Sequence, residues 1–189
     1  MGTCLYESSA SAYVGNVFVG MEKYTYFTLR NANKDIRLLK LLPGPRGSPC
    51  VGCLRHGPLG DSTPDYAALS YTWGEPVKSQ SLTISNEKAE RHTLPITQNL
   101  QDALDHIRDE KESQMLWVDA VCIDQNNVPE RSQQVRQMPK IFQKASNIVV
   151  WLGLASDDSD IAIRNIQALS MIDWEGENLP LVGIIRDRP

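Results

Sequence analysis

Short apolar runs, each bounded by glycine, proline or serine, recur along the chain and predict β-strands. The run at 147–153 is apolar throughout, which is typical of a strand covered on both faces of a sheet. The run at 81–85 is expected to form a hairpin with the segment near Arg91. The predicted strands are DIRLLKLL (35–42), YAALSY (66–71), SLTIS (81–85), MLWVD (115–119), NIVVWLG (147–153) and LVGII (181–185).

Helical spacing of apolar residues begins at Pro95 and returns twice further along the chain. Such spacing places one apolar stripe of each helix against a core. The first helix is predicted to present Ile96, Leu100, Ala103, Leu104 and Ile107 on one face. The last is predicted to present Ala162, Ile166, Leu169 and Ile172.

The middle helix has clear start signals. Asn127 is placed as its N-cap, Pro129 fits the first turn, and Glu130 stands at the third helical position, where it completes a capping box. Pro139 should kink the helix or shorten one of its turns. The buried stripe is predicted to consist of Val135, Met138, Ile141, Phe142 and Ala145.

The order of these elements predicts an α/β fold. From about 66 to 185 strands alternate with helices, which favours right-handed crossovers and a mostly parallel sheet flanked by helices. An N-terminal β-hairpin region is added to this core. Residues 1–33 have weak periodicity and are interpreted as an N-terminal extension, so the domain itself is expected at 34–189.

Composition excludes several classes of protein. The 189 residues are 41% hydrophobic and 22% charged, as in ordinary folded proteins, and the net charge of −4 argues against general nucleic-acid binding. No apolar run reaches membrane-spanning length, and the first residues lack the regions of a signal peptide. Tyr6 stands where a myristoylation signal requires serine or threonine. We therefore expect a cytoplasmic protein with reduced cysteines.

Polar and aromatic residues gather where the predicted parallel strands end. Ligands of open α/β sheets bind at that edge. Tyr71 and Trp73 offer flat surfaces on which a ring can stack. Hydrogen-bond acceptors follow the same strand ends, and the carboxylates among them are candidate acid or base groups. These acceptors are Asp119, Asp124, Gln125, Glu130 and Asp160.

Each acceptor near the second strand end also has a structural interpretation. Asp119 can cap backbone N–H groups of its loop, because buried polar groups are normally paired. Asp124 and Gln125 can build an Asx-type turn, and a capping box explains Glu130 fully. Arg131 is either a solvated helix residue or a partner for one of the two aspartates.

The residues at the other strand ends have structural interpretations too. Tyr71 and Trp73 can pack under the loop, and Gly74 then supplies backbone freedom in the turn. The three aspartates of 157–160 are favoured at a helix N-terminus by the helix dipole. The sequence leaves the structural and the functional interpretations open.

The cysteines form only part of a metal-binding motif. Cys50, Cys53 and His56 supply three of the four ligands that a structural zinc ion requires. No spacing identifies a fourth ligand, so a loop with two reduced cysteines and no metal is favoured. Cys122 has no histidine beside it in sequence and is expected to be a buried small hydrophobe. No glycine-rich phosphate loop occurs in the sequence.

Several segments, in the expected order, carry a family resemblance. The stretch from about residue 36 to 153 closely resembles the heterokaryon incompatibility (HET) domain of filamentous fungi. CIDQ at 122–125 is a mild variant of the family's more usual Cys-Ile-Asn-Gln, and Met138-Pro139 departs from the family pattern. The resemblance implies non-self recognition that ends in programmed cell death. The segments include YAALSYTWGEP, NLQDAL, LWVDAVCIDQNNVPERSQQVRQM and ASNIVVWLG.

The resemblance also implies a flavodoxin/TIR-like fold, because HET domains are thought to be distant relatives of TIR domains. On that comparison Asp160, or else Asp157 or Asp158, lies nearest the catalytic glutamate of NAD-cleaving TIR domains, with a side chain one methylene shorter. The candidate catalytic residues are then Asp119, Asp124, Glu130 and Asp160. The candidate ligand-binding residues are Ser70, Tyr71, Trp73, Gly74, Gln125 and Arg131.

Three functions are compatible with this resemblance. In the first, the chain is a signalling domain that drives cell death by forming homo-oligomers on activation, with other incompatibility proteins or regulatory domains as further partners. In the second, it is a hydrolase that cleaves the nicotinamide–ribose bond of NAD, so that NAD is a substrate and no cofactor is implied. In the third, it binds a nucleotide without changing it.

Overall fold

A computed structural model of the chain describes residues 21–86, 88–154 and 181–185. Within these ranges eight strands form one sheet, in the order β5–β4–β2–β1–β6–β3–β7–β8. Three helices are also described: α1 (Gln98–Ile107), α2 (Asp119–Cys122) and α3 (Val128–Lys144). The strands are β1 (Asp35–Leu41), β2 (Val51–Pro58), β3 (Ala67–Tyr71), β4 (Gln80–Ser85), β5 (Arg91–Ile96), β6 (Gln114–Trp117), β7 (Asn147–Trp151) and β8 (Leu181–Ile185).

One half of the sheet is parallel, as the alternation of strands and helices predicts. β3 pairs in parallel with β6 on one side and with β7 on the other, and β7 pairs in parallel with β8. The register sets Tyr71 opposite Trp151 and Ala68 opposite Trp117. The carboxyl ends of these strands therefore meet at one edge of the sheet, where the candidate site residues were expected.

The other half makes the sheet mixed. β1 runs antiparallel to both β6 and β2, β2 is parallel to β4, and β4 and β5 form the predicted antiparallel hairpin. The expectation of a mostly parallel sheet thus holds for the half that carries the strand-end residues. Two hairpins, β1–β2 and β4–β5, extend that half into a wider sheet.

The prediction of a loop around the cysteines is wrong, because this segment is strand β2. Its glycines and charged residues hide the strand pattern in the sequence. Gly52 is needed there, since a Cβ atom would lie 2.9 Å from the Lys40 carbonyl oxygen as well as 2.6 Å from the Leu39 side chain. Cys53 and His56 are three residues apart on the strand, so their side chains point to opposite faces. Among the described residues no group of three or more His, Cys, Asp or Glu side chains is placed to hold a metal ion.

Helix α1 begins two residues later than its apolar stripe predicts. Thr97 is the N-cap, and its hydroxyl oxygen accepts a hydrogen bond from the Leu100 N–H at 3.4 Å. Leu100 and Leu104 are fully buried on the predicted face, but Ile96 belongs to the end of β5. A strand and a helix thus share one apolar run, which the helical period alone cannot divide.

The segment after β6 contains a helical turn that the sequence does not reveal. Asp119, which was predicted to end the strand, begins α2, and β6 ends earlier, at Trp117. Helix α3 then starts as predicted, with the Asn127 side chain accepting from the Glu130 N–H at 3.2 Å. The helix continues through Pro139 to Lys144.

The buried face of α3 is more polar than predicted. Ile141 is fully buried, but Val135 is 51% exposed, so the apolar stripe is partly wrong. Glu130, Gln134 and Gln137 are buried instead. Gln134 and Gln137 face the start of β1 and the segment before it. The Gln134 side chain donates to the Ala32 and Asp35 carbonyls at 2.9 and 2.8 Å, and Gln137 donates to Ala32 at 2.6 Å.

Within the described residues, one apolar core joins the two halves of the sheet. Trp117 and Trp151, at the ends of β6 and β7, are 0% and 1% exposed. Each large side chain buried in this way contributes about 1.5–3 kcal/mol. None of the described helices has the length and apolar character needed to cross a bilayer. The predicted helix at 162–172 lies outside the described residues. The core includes Ile36, Leu39, Leu82, Ile84, Leu100, Leu104 and Leu116.

Candidate functional site

Asp119, just beyond the end of β6, is hydrogen-bonded to a residue just beyond the end of β3, at the carboxyl edge of the parallel half. It follows β6 after a single intervening residue and is the first residue of α2. Its Oδ2 atom accepts a hydrogen bond from Nε1 of Trp73 at 2.9 Å, and its Oδ1 atom accepts from the Ala120 N–H at 2.7 Å. Because β3 and β6 are parallel neighbours, the loops that follow them meet here.

The surroundings of Asp119 raise the pKa of its carboxyl group. Burial is the largest cause, and the N–H donors of Trp73 and Ala120 offset only part of it. A carboxyl group that holds its proton more tightly than usual is suited to acid or base chemistry. The structural interpretation of Asp119 also holds in part, because it accepts from the Ala120 backbone.

Tyr71, the last residue of β3, lies near the same carboxylate and is half-buried. Burial raises the pKa of Tyr71, and the negative charge of Asp119 raises it further. The phenol therefore stays protonated and can donate a hydrogen bond at any physiological pH.

Trp73 keeps its ring open to solvent while its N–H is held. The side chain is 44% exposed, and Asp119 anchors its nitrogen. The next residue, Gly74, has φ +68°, a left-handed conformation that glycine adopts without strain. An exposed aromatic face with a fixed orientation is suited to stacking on a planar ring.

Asn99 is a site residue that the sequence analysis missed. Its Nδ2 atom donates to the Thr72 carbonyl at 2.5 Å, and its Oδ1 atom accepts from Nε1 of Trp151 at 2.9 Å. Asn99 thereby fixes the loop after β3 to the end of β7. Asn99 begins the family segment NLQDAL, but its place at the start of an amphipathic helix gave no sign of contacts with two strand ends.

The loop after α2 is held by its own side chains. The Gln125 side chain donates to the Asp119 carbonyl at 2.9 Å, and Nη1 of Arg131 donates to the Gln125 carbonyl at 3.1 Å. Oδ1 of Asp124 accepts from the Asn126 N–H at 3.1 Å, which is the Asx-type turn considered above. These contacts give all three side chains a structural role in shaping the loop.

Glu130 does not complete a capping box, because its carboxylate pairs with Arg37 of β1. Nη1 of Arg37 donates to Oε1 at 2.6 Å and Nη2 donates to Oε2 at 3.0 Å, with the two side chains 2% and 4% exposed. Burial alone raises the pKa of Glu130, but the hydrogen bonds and charge of Arg37 and the Asp124 N–H outweigh it, so the pKa is lowered. This pairing favours a structural role over direct contact with a ligand.

The structure brings part of the predicted set together. We use the term rim for Ser70, Tyr71, Trp73, Gly74 and Asp119, all at or just beyond the carboxyl ends of β3 and β6. Ser70 is exposed on β3 and, as the strand neighbour of Tyr71, points to the opposite face of the sheet. The rim offers a carboxyl group, a phenol, a hydroxyl and an open aromatic face.

The acidic residues after β7 are not placed. Asp157, Asp158 and Asp160 lie outside the described residues. The convergence of Asp160 with Tyr71 and Asp119 on one edge therefore stays a prediction.

Comparison with known proteins identifies the family. Residues 66–179 match the family described as heterokaryon incompatibility protein (HET). Over 169 residues the chain is 33% identical to heterokaryon incompatibility protein 6, OR allele, of Neurospora crassa. The match covers 85% of this chain and 24% of that protein, so the chain spans about a quarter of the length of its relative. No solved structure matches the chain. The chain belongs to the heterokaryon incompatibility (HET) family.

Proposed function

We propose that this chain acts in fungal heterokaryon incompatibility, where its regulated self-association leads to programmed cell death. The observation that carries the proposal is the 33% identity, over 85% of the chain, with a relative named as a heterokaryon incompatibility protein. Cytoplasmic action together with other incompatibility proteins or regulatory domains belongs to the same proposal.

We also propose that the parallel half of the sheet is flavodoxin/TIR-like, and the strand order supports this. Taken in sequence order, β3, β6, β7 and β8 are the first to fourth parallel strands. Their order across the sheet is then 2-1-3-4, as in flavodoxin-like sheets. Such a sheet binds its ligands at the edge where the rim lies.

Self-association can be measured directly on the purified chain. Light scattering over a concentration series should give a mass that rises above that of the 21.1 kDa monomer. In parallel, induced expression in a filamentous fungus should reduce viability. A strict monomer at high concentration together with unchanged viability would contradict the proposal.

A second candidate function is hydrolysis of NAD at the rim. The observation that favours it is the hydrogen bond between Trp73 and the half-buried Asp119 beside Tyr71. Trp73 would stack on a ring of the dinucleotide. Asp119 would hold the ribose hydroxyls or stabilise the oxocarbenium-like ribose as nicotinamide departs with the bonding electron pair. Water then adds to the ribose and releases a proton, which gives ADP-ribose.

Nicotinamide release tests this candidate. The protein is incubated with NAD at concentrations that permit assembly, and Asp119→Ala is compared with Asp124→Ala, a matched change in the same loop. We expect Asp119→Ala to lose at least about 100-fold of the rate and Asp124→Ala to lose much less. No release by assembled, folded protein would exclude hydrolysis, and equal losses in both variants would remove Asp119 from the reaction.

A further inference from the structure

Arg37 of β1 is buried and contacts α2, the short helix that begins with the rim residue Asp119. Beyond its two bonds to Glu130, Arg37 donates from Nη1 to the Cys122 carbonyl at 3.2 Å and from Nη2 to the Phe27 carbonyl at 2.7 Å. It also lies 5.1 Å from the centre of the Tyr26 ring. Arg37 thus connects β1, the segment before it, α3 and the last residue of α2.

Together, Arg37 and Glu130 hold both sides of the chain reversal that follows α2. Arg37 binds the Cys122 carbonyl, and Oε1 of Glu130 accepts from the Asp124 N–H at 3.2 Å. Asp119 stands at the other end of the same four-residue helix, whose closing bond runs from the Ile123 N–H to the Asp119 carbonyl at 3.2 Å. A shift of Cys122 would therefore move Asp119 with it.

The segment before β1 adds a third attachment to α2. The Tyr26 hydroxyl donates to the Val121 carbonyl at 2.9 Å, and the same segment supplies the Phe27 carbonyl to Arg37. Two successive carbonyls at the end of α2 are thus fixed by side chains from outside the helix. A helix this short has little stability of its own, so these external bonds set its orientation.

We propose that Arg37 and Glu130 are positioning residues for the rim, which orient α2 so that the Asp119 carboxylate meets the Trp73 indole N–H. The inference rests on the proposed role of the rim as a binding site. A buried ion pair is a weak source of stability, because apolar side chains of similar volume often replace it at no loss. What apolar side chains cannot replace is the set of bonds to Cys122 and Asp124.

The test uses protein with ¹⁵N-labelled tryptophan, with Trp73→Phe to assign the Trp73 indole signal. The double variant Arg37→Met with Glu130→Leu removes both charges while keeping the volume. We expect its melting temperature to fall, because the Cys122 and Phe27 carbonyls and the Asp124 N–H lose their partners. In the folded variant, exchange of the Trp73 indole proton with water should accelerate by about tenfold or more. The pKa of Asp119, followed by ¹³C NMR of its carboxyl group, should fall toward its ordinary value as the rim loosens.

The ion pair between Arg108 and Asp105 provides a matched control. It has the same 2.6 Å contact and lies at the end of α1 opposite to Asn99. Arg108→Met with Asp105→Leu should leave the Trp73 exchange rate unchanged. If the folded Arg37/Glu130 double variant also leaves it unchanged, the ion pair has no positioning role.

Glu130→Gln serves if the double variant does not fold. It weakens the bond to Arg37 but keeps the shape of the side chain, so a smaller acceleration of Trp73 exchange is expected and no acceleration would overturn the inference. Both readouts need neither NAD nor assembly. A chain without hydrolase activity can therefore still show that Arg37 and Glu130 orient Asp119. If these two residues have no such role, the measurement of nicotinamide release is unaffected.

Discussion

Asp119 receives donors from two strand ends, yet burial still raises its pKa. The folded protein therefore holds this proton more tightly than the unfolded chain does. By linkage, the contribution of Asp119 to the free energy of unfolding is fully present below the ordinary pKa of an aspartate, about 3.9, and is lost as pH rises through the raised value. A carboxylate kept under such conditions is typical of functional sites.

The pH dependence of stability tests whether the pKa of Asp119 is raised in the folded protein. Wild type and Asp119→Ala are compared by urea unfolding between about pH 4 and pH 7. The stability of wild type relative to the variant should fall as pH rises, because ionised Asp119 is poorly solvated. Ser132→Ala, an exposed and uncharged site, should give a difference that does not change with pH. A rising difference for Asp119 would mean that its pKa is lowered.

Any side chain at position 74 should lower the free energy of unfolding. Its φ of +68° makes Gly74→Ala cost about 1–2 kcal/mol of unfolding free energy, although the nearest atom to an added Cβ is 3.5 Å away. Gly60→Ala, at a position with open space and ordinary φ, should cost less than about 0.5 kcal/mol. Equal costs in denaturant titrations would show that backbone strain is not the cause.

At the scale of elements, the start of α3 shows what local signals can and cannot specify. Asn127 caps the helix as its sequence position predicts. Glu130 occupies the expected helical position but pairs with Arg37, which is 93 residues away in sequence. A capping box is read from neighbouring residues, whereas nothing in the local pattern identifies a partner on another strand.

The Asn127 N-cap should contribute as much to the free energy of unfolding as N-caps usually do. Asn127→Ala removes the acceptor for the Glu130 N–H and should lower the free energy of unfolding by about 1 kcal/mol. Asn126→Ala, which changes the exposed neighbour, should lower it by less than about 0.5 kcal/mol. Urea titrations of both variants measure the difference, and equal effects would contradict the capping role.

Removing only one partner of the Arg37–Glu130 ion pair should lower the free energy of unfolding much more than loss of the N-cap does. Arg37→Met leaves the Glu130 carboxylate buried without its partner and should lower the free energy of unfolding by about 3–5 kcal/mol at pH 7. Since the pKa of Glu130 is lowered, the stability from this pair is present above its ordinary value, about 4.3, and is lost as pH falls through the lowered value. The variant should therefore lose less stability than wild type on acidification, and a parallel loss would contradict this assignment.

At the scale of the whole molecule, a parallel half that carries the rim is joined to a half built from two hairpins. The parallel half was predictable because each of its strands has a local apolar pattern. Strand β2 was not, because Gly52 and charged residues interrupt its pattern, and β1 was recognised as a strand without its neighbours. Pairing between distant segments depends on side-chain contacts such as those of Arg37, which a single sequence does not display.

We propose that the rim binds a nucleotide, because both the hydrolysis of NAD and the role given to Arg37 and Glu130 depend on such a site. A titration of NAD into protein with ¹⁵N-labelled tryptophan tests this most directly. We predict a saturable shift of the Trp73 indole signal, with the fully buried Trp117 as an internal reference. Asp119→Ala should weaken binding by about tenfold or more. A Trp73 signal that does not move with NAD in the millimolar range, under conditions where the protein is folded, would contradict the claim.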